Sequence, residues 1–199
     1  MAKVFTALDD HLRAWIARQP MFFVGSAPLD ADGHVNVSPK GPIDTLAVVD
    51  EHTVAYLDMV GSGAETVAHV RENGRIVIML CAFSGPPKIL RLHGRATVVA
   101  AGEPGFDEWL ERCGFGAIDA VPEARRSIIV VDVERIADSC GYSVPLMRLE
   151  GHRPHARAWA EKRLRVGGPD ALVEYQREKN AQSIDGLPGL ARDGSLRRA

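Results

Sequence analysis

Apolar residues recur along the chain at two spacings, and these divide it into helical and β-strand regions. Near the N-terminus the spacing is three and four residues, at Phe5, Leu8, Leu12, Trp15 and Ile16. This stripe predicts a helix over residues 4–18 that ends before Pro20. From residue 21 the apolar runs become short and alternate with turn sequences such as DADG, NG and SGPP, a texture that predicts β-strands.

Seven runs have the length and composition of strands: MFFVG, HVNVSP, TLAVV, TVAYLDM, RIVIMLCAF, ILRLHGRATVVA and SIIVVDV. Their brief connections favour an antiparallel barrel or sandwich over a parallel α/β sheet. One inserted helix is expected within residues 103–114, and two more, HARAWAEKRL and PDALVEYQREKN, after Met147. In the tail, Ile184, Leu187 and Leu190 predict a docked extended arm; the alternative is that the last ten or so residues are frayed.

Length and composition narrow the class of protein. The 199 residues fit a single domain. The 24 Lys and Arg against 26 Asp and Glu give a formal charge of -2, which argues against a nucleic-acid partner because such domains carry a basic excess. The N-terminus lacks the apolar stretch of a signal peptide, and no run approaches the roughly 18 apolar residues of a membrane span. We therefore expect a cytoplasmic protein without a membrane partner.

The cysteines and two of the histidines give no sign of a metal site. Cys81, Cys113 and Cys140 are odd in number and form no Cys-x-x-Cys pair, so we expect buried free thiols rather than disulfides or zinc ligands. His152 and His155 lack a nearby third ligand and are assigned to a loop or the surface.

A Gly-Ser-Gly sequence separates a predicted strand from a predicted helix. Ser62 and Glu65 have the spacing of a capping box, and Asn73-Gly74 supplies a helix stop, so we predict a helix over residues 63–73. A glycine-rich turn that opens a helix also presents N–H groups to a phosphate. On these residues alone, an ordinary capped helix is the alternative.

Two nucleotide-binding motifs are excluded by the same segment. Thr66 stands where a dinucleotide fingerprint has its last glycine, no acidic residue follows about twenty positions later, and there is no Gly-Lys-Ser/Thr. Ser38 and Lys40, at the end of the VNVSPKG run, offer a hydroxyl and an ammonium that would complete an anion site. The alternative for Lys40 is a solvated lysine at a strand end.

Together these segments resemble the pyridoxamine 5'-phosphate oxidase-like family of FMN-binding split β-barrels, in its uncharacterised branch. The likeness runs from about Pro20 to Leu190 and rests on VNVSPKG, YLDMVGSGAETVAHVRENGRIVIML, PPKILRLHGRA, DSCGYSVPLM and NAQSIDGLPGL. It implies a mainly β fold with flanking helices, a six-stranded antiparallel split β-barrel, and a homodimer with FMN at the interface. Residues 1–199 would form one domain with an N-terminal helix (1–19), a split-barrel core (20–147), and C-terminal helices with an extended tail (148–199).

The resemblance also implies which residues bind the cofactor. The strand along the flavin and its phosphate arm is matched by Ser38, Pro39 and Lys40. The strand beside the ring and ribityl chain is matched by Tyr56, Leu57 and Asp58. The turn and helix start that receive the phosphate are matched by Ser62, Gly63, Ala64, Glu65 and Thr66. True oxidases carry an Arg-Lys pair in this turn and a basic C-terminal substrate clamp. Neither is found here, so oxidation of a vitamin B6 phosphate is not expected.

A basic face is predicted on the strand KILRLHGRATVV. Alternation places Arg91, His93 and Arg95 on one side, and Leu90, Leu92 and Ala96 on the other. Near a dimer interface such a face would meet a flavin or an anionic substrate; the alternative is a solvated or ion-paired surface. Arg91 and His93 therefore join the cofactor-binding set, and no catalytic residue is assigned.

The expected function is that of an FMN-dependent oxidoreductase, which passes hydride or electrons from a reduced nicotinamide to a small-molecule acceptor. One alternative is a non-catalytic flavin- or haem-binding module in storage, sensing or stress response. Another is a barrel whose anion-site pattern is only helix capping. A deazaflavin in place of FMN also stays open.

Overall fold

Eight antiparallel strands form a single curled sheet in the computed structural model, which describes residues 3–190. The strands are β1 (Val4–Phe5), β2 (Phe22–Ser26), β3 (Asn36–Lys40), β4 (Leu46–Val48), β5 (Thr53–Met59), β6 (Arg75–Cys81), β7 (Ile89–Ala100) and β8 (Arg125–Ser139). Seven of them follow the order β3-β2-β6-β7-β8-β5-β4, and β1 pairs with β8. Within the described residues the two end strands, β3 and β4, are not paired with each other.

The number of strands differs from the six that the family resemblance implied. Each of the seven apolar runs contributes one strand, β2 to β8, as the alternation predicted. The eighth strand lies where the N-terminal helix was expected to begin, because Val4 and Phe5 extend along β8 opposite Ala137 and Ile136. The mainly β, antiparallel class is therefore confirmed, and the count of six is not.

Five α-helices flank the sheet within residues 3–190. They are α1 (Asp10–Ala17), α2 (Glu65–Asn73), α3 (Phe106–Arg112), α4 (His155–Gly167) and α5 (Ala171–Lys179). Helix α1 is shorter than predicted because Asp9 caps it, its side chain accepting the N–H of Leu12. The inserted helix and the two C-terminal helices lie where the sequence predicts them.

The two faces of the sheet pack against different partners. On one face, alternate residues of the strands join α1 and α2 in the main core, which includes Phe22, Ile78, Leu92, Trp15 and Val67. On the opposite face, Leu57 and Ile128 pack against Phe106 and Phe115 around α3. Burying one such side chain stabilises the fold by about 1.5–3 kcal/mol, so the two layers fix which way each strand residue points.

Two β-bulges interrupt the pairing of β8. In the first, Asp58 lies opposite Ser127 and Met59 opposite Arg125, which leaves Arg126 without a partner in β5. The second lies beside Gly94, where a Cβ would be 2.0 Å from the carbonyl oxygen of Asp132. Only glycine fits at that position, since bulges bring two backbones unusually close.

The three cysteines follow the prediction of buried thiols only in part, whereas His152 and His155 follow theirs. Cys81 is buried and Cys113 is half-buried, but Cys140 is exposed because it follows β8 as the chain leaves the sheet. The expectation of a buried thiol is therefore wrong for Cys140. His152 and His155 are exposed, as expected.

Two further predictions concern membrane-spanning helices and the C-terminal tail. No helix among residues 3–190 has the length and apolar character needed to cross a membrane. The alternative expectation, that the last ten or so residues are frayed, concerns residues that lie almost entirely outside those described.

Candidate functional site

The turn between β5 and α2 is an exposed loop and not a capped helix start. Ser62 and Gly63 are exposed, and α2 has Ala64 at its N-cap with no side-chain hydrogen bond. The predicted capping box is wrong because Glu65 is the first residue of the helix, whereas a capping box needs it at the third. The predicted end is confirmed: Gly74 adopts a left-handed conformation with φ of 72° and donates to Val70.

Backbone N–H groups of this turn are available to a ligand. Within residues 3–190, the N–H groups of residues 62–66 make no hydrogen bond to a protein acceptor. The first N–H groups of a helix have no partner inside the helix, and they carry its positive dipole end. Ser62 and Gly63 are exposed, whereas Ala64 and Thr66 are buried, so only part of this donor group is open to solvent. Unpaired N–H groups at a helix start are nevertheless the donors that suit an anion.

A buried carboxylate lies beside the turn and joins two cations. Asp58 is 2 % exposed; its Oδ1 is 2.6 Å from Lys40 Nζ, and its Oδ2 is 2.7 Å from Arg126 Nε. Burial raises the pKa of Asp58, but the charges and hydrogen bonds of Arg126 and Lys40 outweigh this and lower the pKa to about 2. The cluster thus joins two basic side chains to one carboxylate, a formal charge of +1.

The arginine of this cluster also reaches the turn and the C-terminal segment. Its Nη1 donates to the carbonyl oxygen of Gly61 at 3.3 Å and to Oδ1 of Asn180 at 2.9 Å. Asn180 in turn donates from Nδ2 to the same Gly61 oxygen at 2.8 Å. The side chains of Arg126 and Asn180 are thus both fixed against the turn, although neither belongs to it.

Strand β3 is tied to the start of α2 by a short chain of side-chain hydrogen bonds. Asn36 donates from Nδ2 to Thr66 Oγ1 at 3.0 Å, and Ser38 donates to Asn36 Oδ1 at 3.3 Å. Asn36, Ser38 and Lys40 share one face of β3 because strand side chains alternate. Three of the predicted segments, around Ser38, Asp58 and Ser62, therefore meet in one place.

Other predicted residues lie in the apolar layers or at the surface, although the Tyr56 ring is also 5.9 Å from Lys40 Nζ. Leu57 packs in the cluster under α3, on the face opposite Asp58. Tyr56 lies in the main core, edge-to-face with Phe22 at 5.6 Å between ring centroids. Burial, followed by the charge of Asp58, raises the pKa of Tyr56 well above 10.0. Pro39 alternates to the exposed side of β3.

Arg91 and His93 form the predicted basic face, away from the buried cluster. Leu90 and Leu92 lie in the main core, so the intervening Arg91 and His93 face outward and are half-buried. Arg91 donates to Ser139 Oγ at 3.1 Å. Burial, and then the charges of Arg135 and Arg91, lower the pKa of His93 from 6.5. No hydrogen bond or ion pair within the described chain joins this face to Lys40 or Asp58.

Two residues of the site, Arg126 and Asn180, were not predicted. Arg126 stands in the strand-like segment RRSIIVVDV, where alternation alone does not reveal that a bulge turns its side chain inward. Asn180 begins NAQSIDGLPGL, whose unusual composition was visible in the sequence but indicated no contact. The signal available in the sequence was that Arg126 stands beside a strongly apolar run. An arginine buried there would need a partner, because buried arginines are rare unless paired.

Comparison with known proteins gives a consistent result over most of the chain. The family model described as pyridoxamine 5'-phosphate oxidase matches residues 8–140. The pyridoxamine 5'-phosphate oxidase family protein ustO of Aspergillus flavus is 39 % identical over 199 residues, covering 94 % of this chain and 77 % of that protein.

Solved structures show more distant similarity. HupZ of Group A Streptococcus has 21 % identity and a TM-score of 0.48, over 64 % of this chain and 90 % of that one. An FMN-binding protein from Syntrophomonas wolfei has 18 % identity and a TM-score of 0.45, over 68 % of this chain and 85 % of that one.

Proposed function

The chain belongs to the pyridoxamine 5'-phosphate oxidase family, and from that premise we propose that it is an FMN-binding flavoprotein that acts as an oxidoreductase. The single observation that carries the proposal is the turn at residues 61–64, whose free N–H groups lie beside a buried cluster of net positive charge. FMN carries a phosphate and an aromatic ring system, so a donor-rich turn beside a curved sheet is a suitable receptor.

In this proposal the residues of the turn receive the phosphate. The N–H groups of residues 62–66 donate to its oxygens, and Thr66 is held in place by Asn36. Lys40 and Arg126 supply positive charge at short range, while Asp58 fixes both cations. The strand segments at Ser38–Lys40 and Tyr56–Asp58 then line the path of the ribityl chain and ring, mainly through their backbones.

The carboxylate of Glu65 would repel an anion bound at this turn. A Cβ on Gly63 would lie 2.8 Å from Glu65 Oε2, so the Glu65 carboxylate lies over the turn. Its side chain is only half-buried and rotates at little cost, because it has no hydrogen-bond partner among the described residues. The N–H groups of residues 62–66 therefore fit a phosphate once the Glu65 side chain has rotated away from the turn. Substituting Glu65 with glutamine should remove its negative charge and tighten FMN binding.

In the proposed site, Arg91 and His93 are supplied by a second copy of the chain. They face outward on β7, whereas Lys40 and Asp58 lie on the face of the sheet that carries the main core, so one copy does not bring both sets to one ligand. A homodimer with FMN at its interface removes this difficulty. Arg91 and His93 of one protomer would then face the flavin bound mainly by the other.

When bound, FMN would supply hydride or electron transfer between a reduced nicotinamide and a small acceptor. The chain's contribution is to bind, orient and shield the cofactor. Lys40 and Asp58 are held together in one ion pair, so neither is free to serve as an acid or a base. That pairing favours, as the second candidate, a non-catalytic flavin- or haem-binding module in storage, sensing or stress response.

The first test is the visible absorption spectrum of the protein as purified and after addition of FMN and desalting, with the released ligand identified by mass. We expect about one FMN per chain. Alanine substitution of both Lys40 and Thr66 should abolish or strongly weaken retention. The control is Lys88→Ala with Thr97→Ala, since Lys88 is about as exposed as Lys40 and also lies near a carboxylate, 3.9 Å from Asp138 Oδ2 at the other end of β8. Full retention in the Lys40/Thr66 variant contradicts the site assignment.

The second test separates the two candidate functions. The FMN-loaded protein is mixed with NADH or NADPH in a stopped-flow instrument, and bleaching of the flavin is followed. Rapid bleaching supports the oxidoreductase, whereas no bleaching with either reductant supports the passive module.

A further inference from the structure

The C-terminal arm, residues 180–190, closes on itself and docks beside the turn. Leu190 N donates to Asn180 O at 2.7 Å, Gly189 N to Ala181 O at 2.8 Å, and Ser183 N to Leu187 O at 2.9 Å. The arm is thus a small loop whose two ends lie together. Asn180 is completely buried and Leu190 is 2 % exposed, the latter within the main core.

The arm fits closely against the first residues of α2. A Cβ on Gly189 would lie 2.2 Å from the carbonyl oxygen of Asn180 and 3.0 Å from Ala64 Cβ. Arg71 of α2 donates to the carbonyl oxygen of Gly189. No side chain fits at position 189. Because Gly189 has none, this end of the arm lies close both to Asn180, at the other end of the arm, and to Ala64, the N-cap residue of α2.

Asn180 and Arg126 act on the orientation of a peptide group in the turn. Both donate to the carbonyl oxygen of Gly61, at 2.8 and 3.3 Å, and Asn180 Nδ2 makes a longer contact of 3.5 Å with the oxygen of Gly63. The only cis peptide bond among the described residues precedes Pro42. In a trans peptide the C=O and N–H point in opposite directions. Holding the Gly61 and Gly63 oxygens against the arm therefore turns the N–H groups of Ser62 and Ala64 away from it.

We propose that Asn180, supported by Arg126, is a positioning residue that orients the Ser62 and Ala64 N–H groups towards a bound phosphate group. The inference rests on the proposed flavin site and assigns the C-terminal arm to it. Arg126 supports this role because its side chain is 6 % exposed and its Nη2 has no acceptor within residues 3–190. Without the arm, the glycine-flanked turn would be free to rotate its peptide groups.

The test compares the dissociation constants of FMN and riboflavin, which differ only in the phosphate. Asn180→Leu keeps the approximate size of the side chain but removes its donors. We expect the variant to bind FMN at least about tenfold more weakly, as for loss of donors to an anion, while its affinity for riboflavin changes little. A merely structural role would weaken both ligands together, so an unchanged ratio of the two constants overturns the inference.

The matched control is Asp185→Asn, which alters the same arm at its contact with His34 rather than at the turn. We expect its ratio of FMN to riboflavin affinity to equal that of the wild type. An equal loss of FMN selectivity in Asp185→Asn would show that any damage to the arm suffices, and would overturn the specific role of Asn180.

A second readout is independent of the flavin. Amide resonances of Ser62 and Ala64 are followed by NMR during titration with inorganic phosphate. Shifts in the wild type that disappear in Asn180→Leu support the inference even if wild-type protein binds no FMN, in which case the proposed function alone fails. If phosphate leaves both amides unchanged in the wild type, the inference is overturned.

Discussion

The cluster beside the turn and the basic face of β7 contain the same kinds of side chain but hold them in opposite ways. Arg126 is nearly inaccessible and bonds to Asp58, Gly61 and Asn180. Arg91 is half-buried, and its only hydrogen bond among the described residues goes to Ser139. Arg126 uses its Nε and Nη1 donors within the protein, whereas Arg91 still has most of its donors available.

In the proposed site, this difference would separate residues that build the site from residues that contact its ligand. A buried charge costs several kcal/mol in lost hydration unless it is paired, so Arg126 needs Asp58 whether or not a ligand is present. Arg91 and His93 make no such demand on the fold. We therefore expect changes in the buried cluster to appear first in stability, and changes on β7 to appear first in binding.

The largest effect is expected for Arg126→Met. Removing one partner of a buried pair leaves Asp58 with fewer donors and should lower the free energy of unfolding by about 3–5 kcal/mol. The matched variant Arg91→Met should change it by no more than about 0.5 kcal/mol, as is usual for partly exposed positions. Urea unfolding of both variants measures the difference, and equal losses would contradict the contrast between the two regions.

Acid should weaken the buried cluster. The pKa of Asp58 is about 2 in the folded protein against 3.8 as its ordinary value. Because the folded value is lowered, the stabilisation is complete above about pH 4 and is lost as the pH falls towards 2. The gap in unfolding free energy between wild type and Asp58→Asn should therefore shrink by about 2 kcal/mol from pH 5 to pH 2. A gap that does not change with pH would show that Asp58 is not an ionised member of the cluster.

The smallest change in stability, but a clear change in binding, is expected on β7. Replacing Arg91 and His93 together by alanine should weaken FMN binding by about tenfold, as for loss of a charge-assisted hydrogen bond, and leave the unfolding free energy almost unchanged. Arg95→Ala is the control, since Arg95 lies on the same face but pairs with Glu134. Unaltered FMN affinity in the double variant would make this face an ordinary solvated surface.

The order of strands and helices was largely readable from the sequence, because each element has one apolar face to bury. Seven apolar runs became seven strands, and the alternation on β7 correctly separated Leu90 and Leu92 from Arg91 and His93. The β1 strand was missed because two residues carry no periodicity. Val4 and Phe5 are extended through pairing with β8, which is a tertiary contact.

The site was predictable only in part. Ser38, Lys40, Asp58 and Thr66 were assigned through the family resemblance, and the structure brings the segments that contain them together. Arg126 and Asn180 were missed because their roles depend on a bulge and on a contact between segments more than a hundred residues apart. The capping box at Ser62 satisfied the local pattern but not the observed start of α2, so local spacing alone was misleading there.

The position of β3 at the end of the sheet has a consequence for how the protein behaves at high concentration. Within the described chain one side of its backbone has no strand beside it, and Val35 and Val37 are 74 % and 65 % exposed. Such an edge invites aggregation with other molecules. Pro39 has no N–H to donate and so interrupts the edge. Pro39, which the family resemblance assigns to the flavin-binding set, is thus also expected to hinder the addition of strands from other molecules to the open edge of the half-barrel.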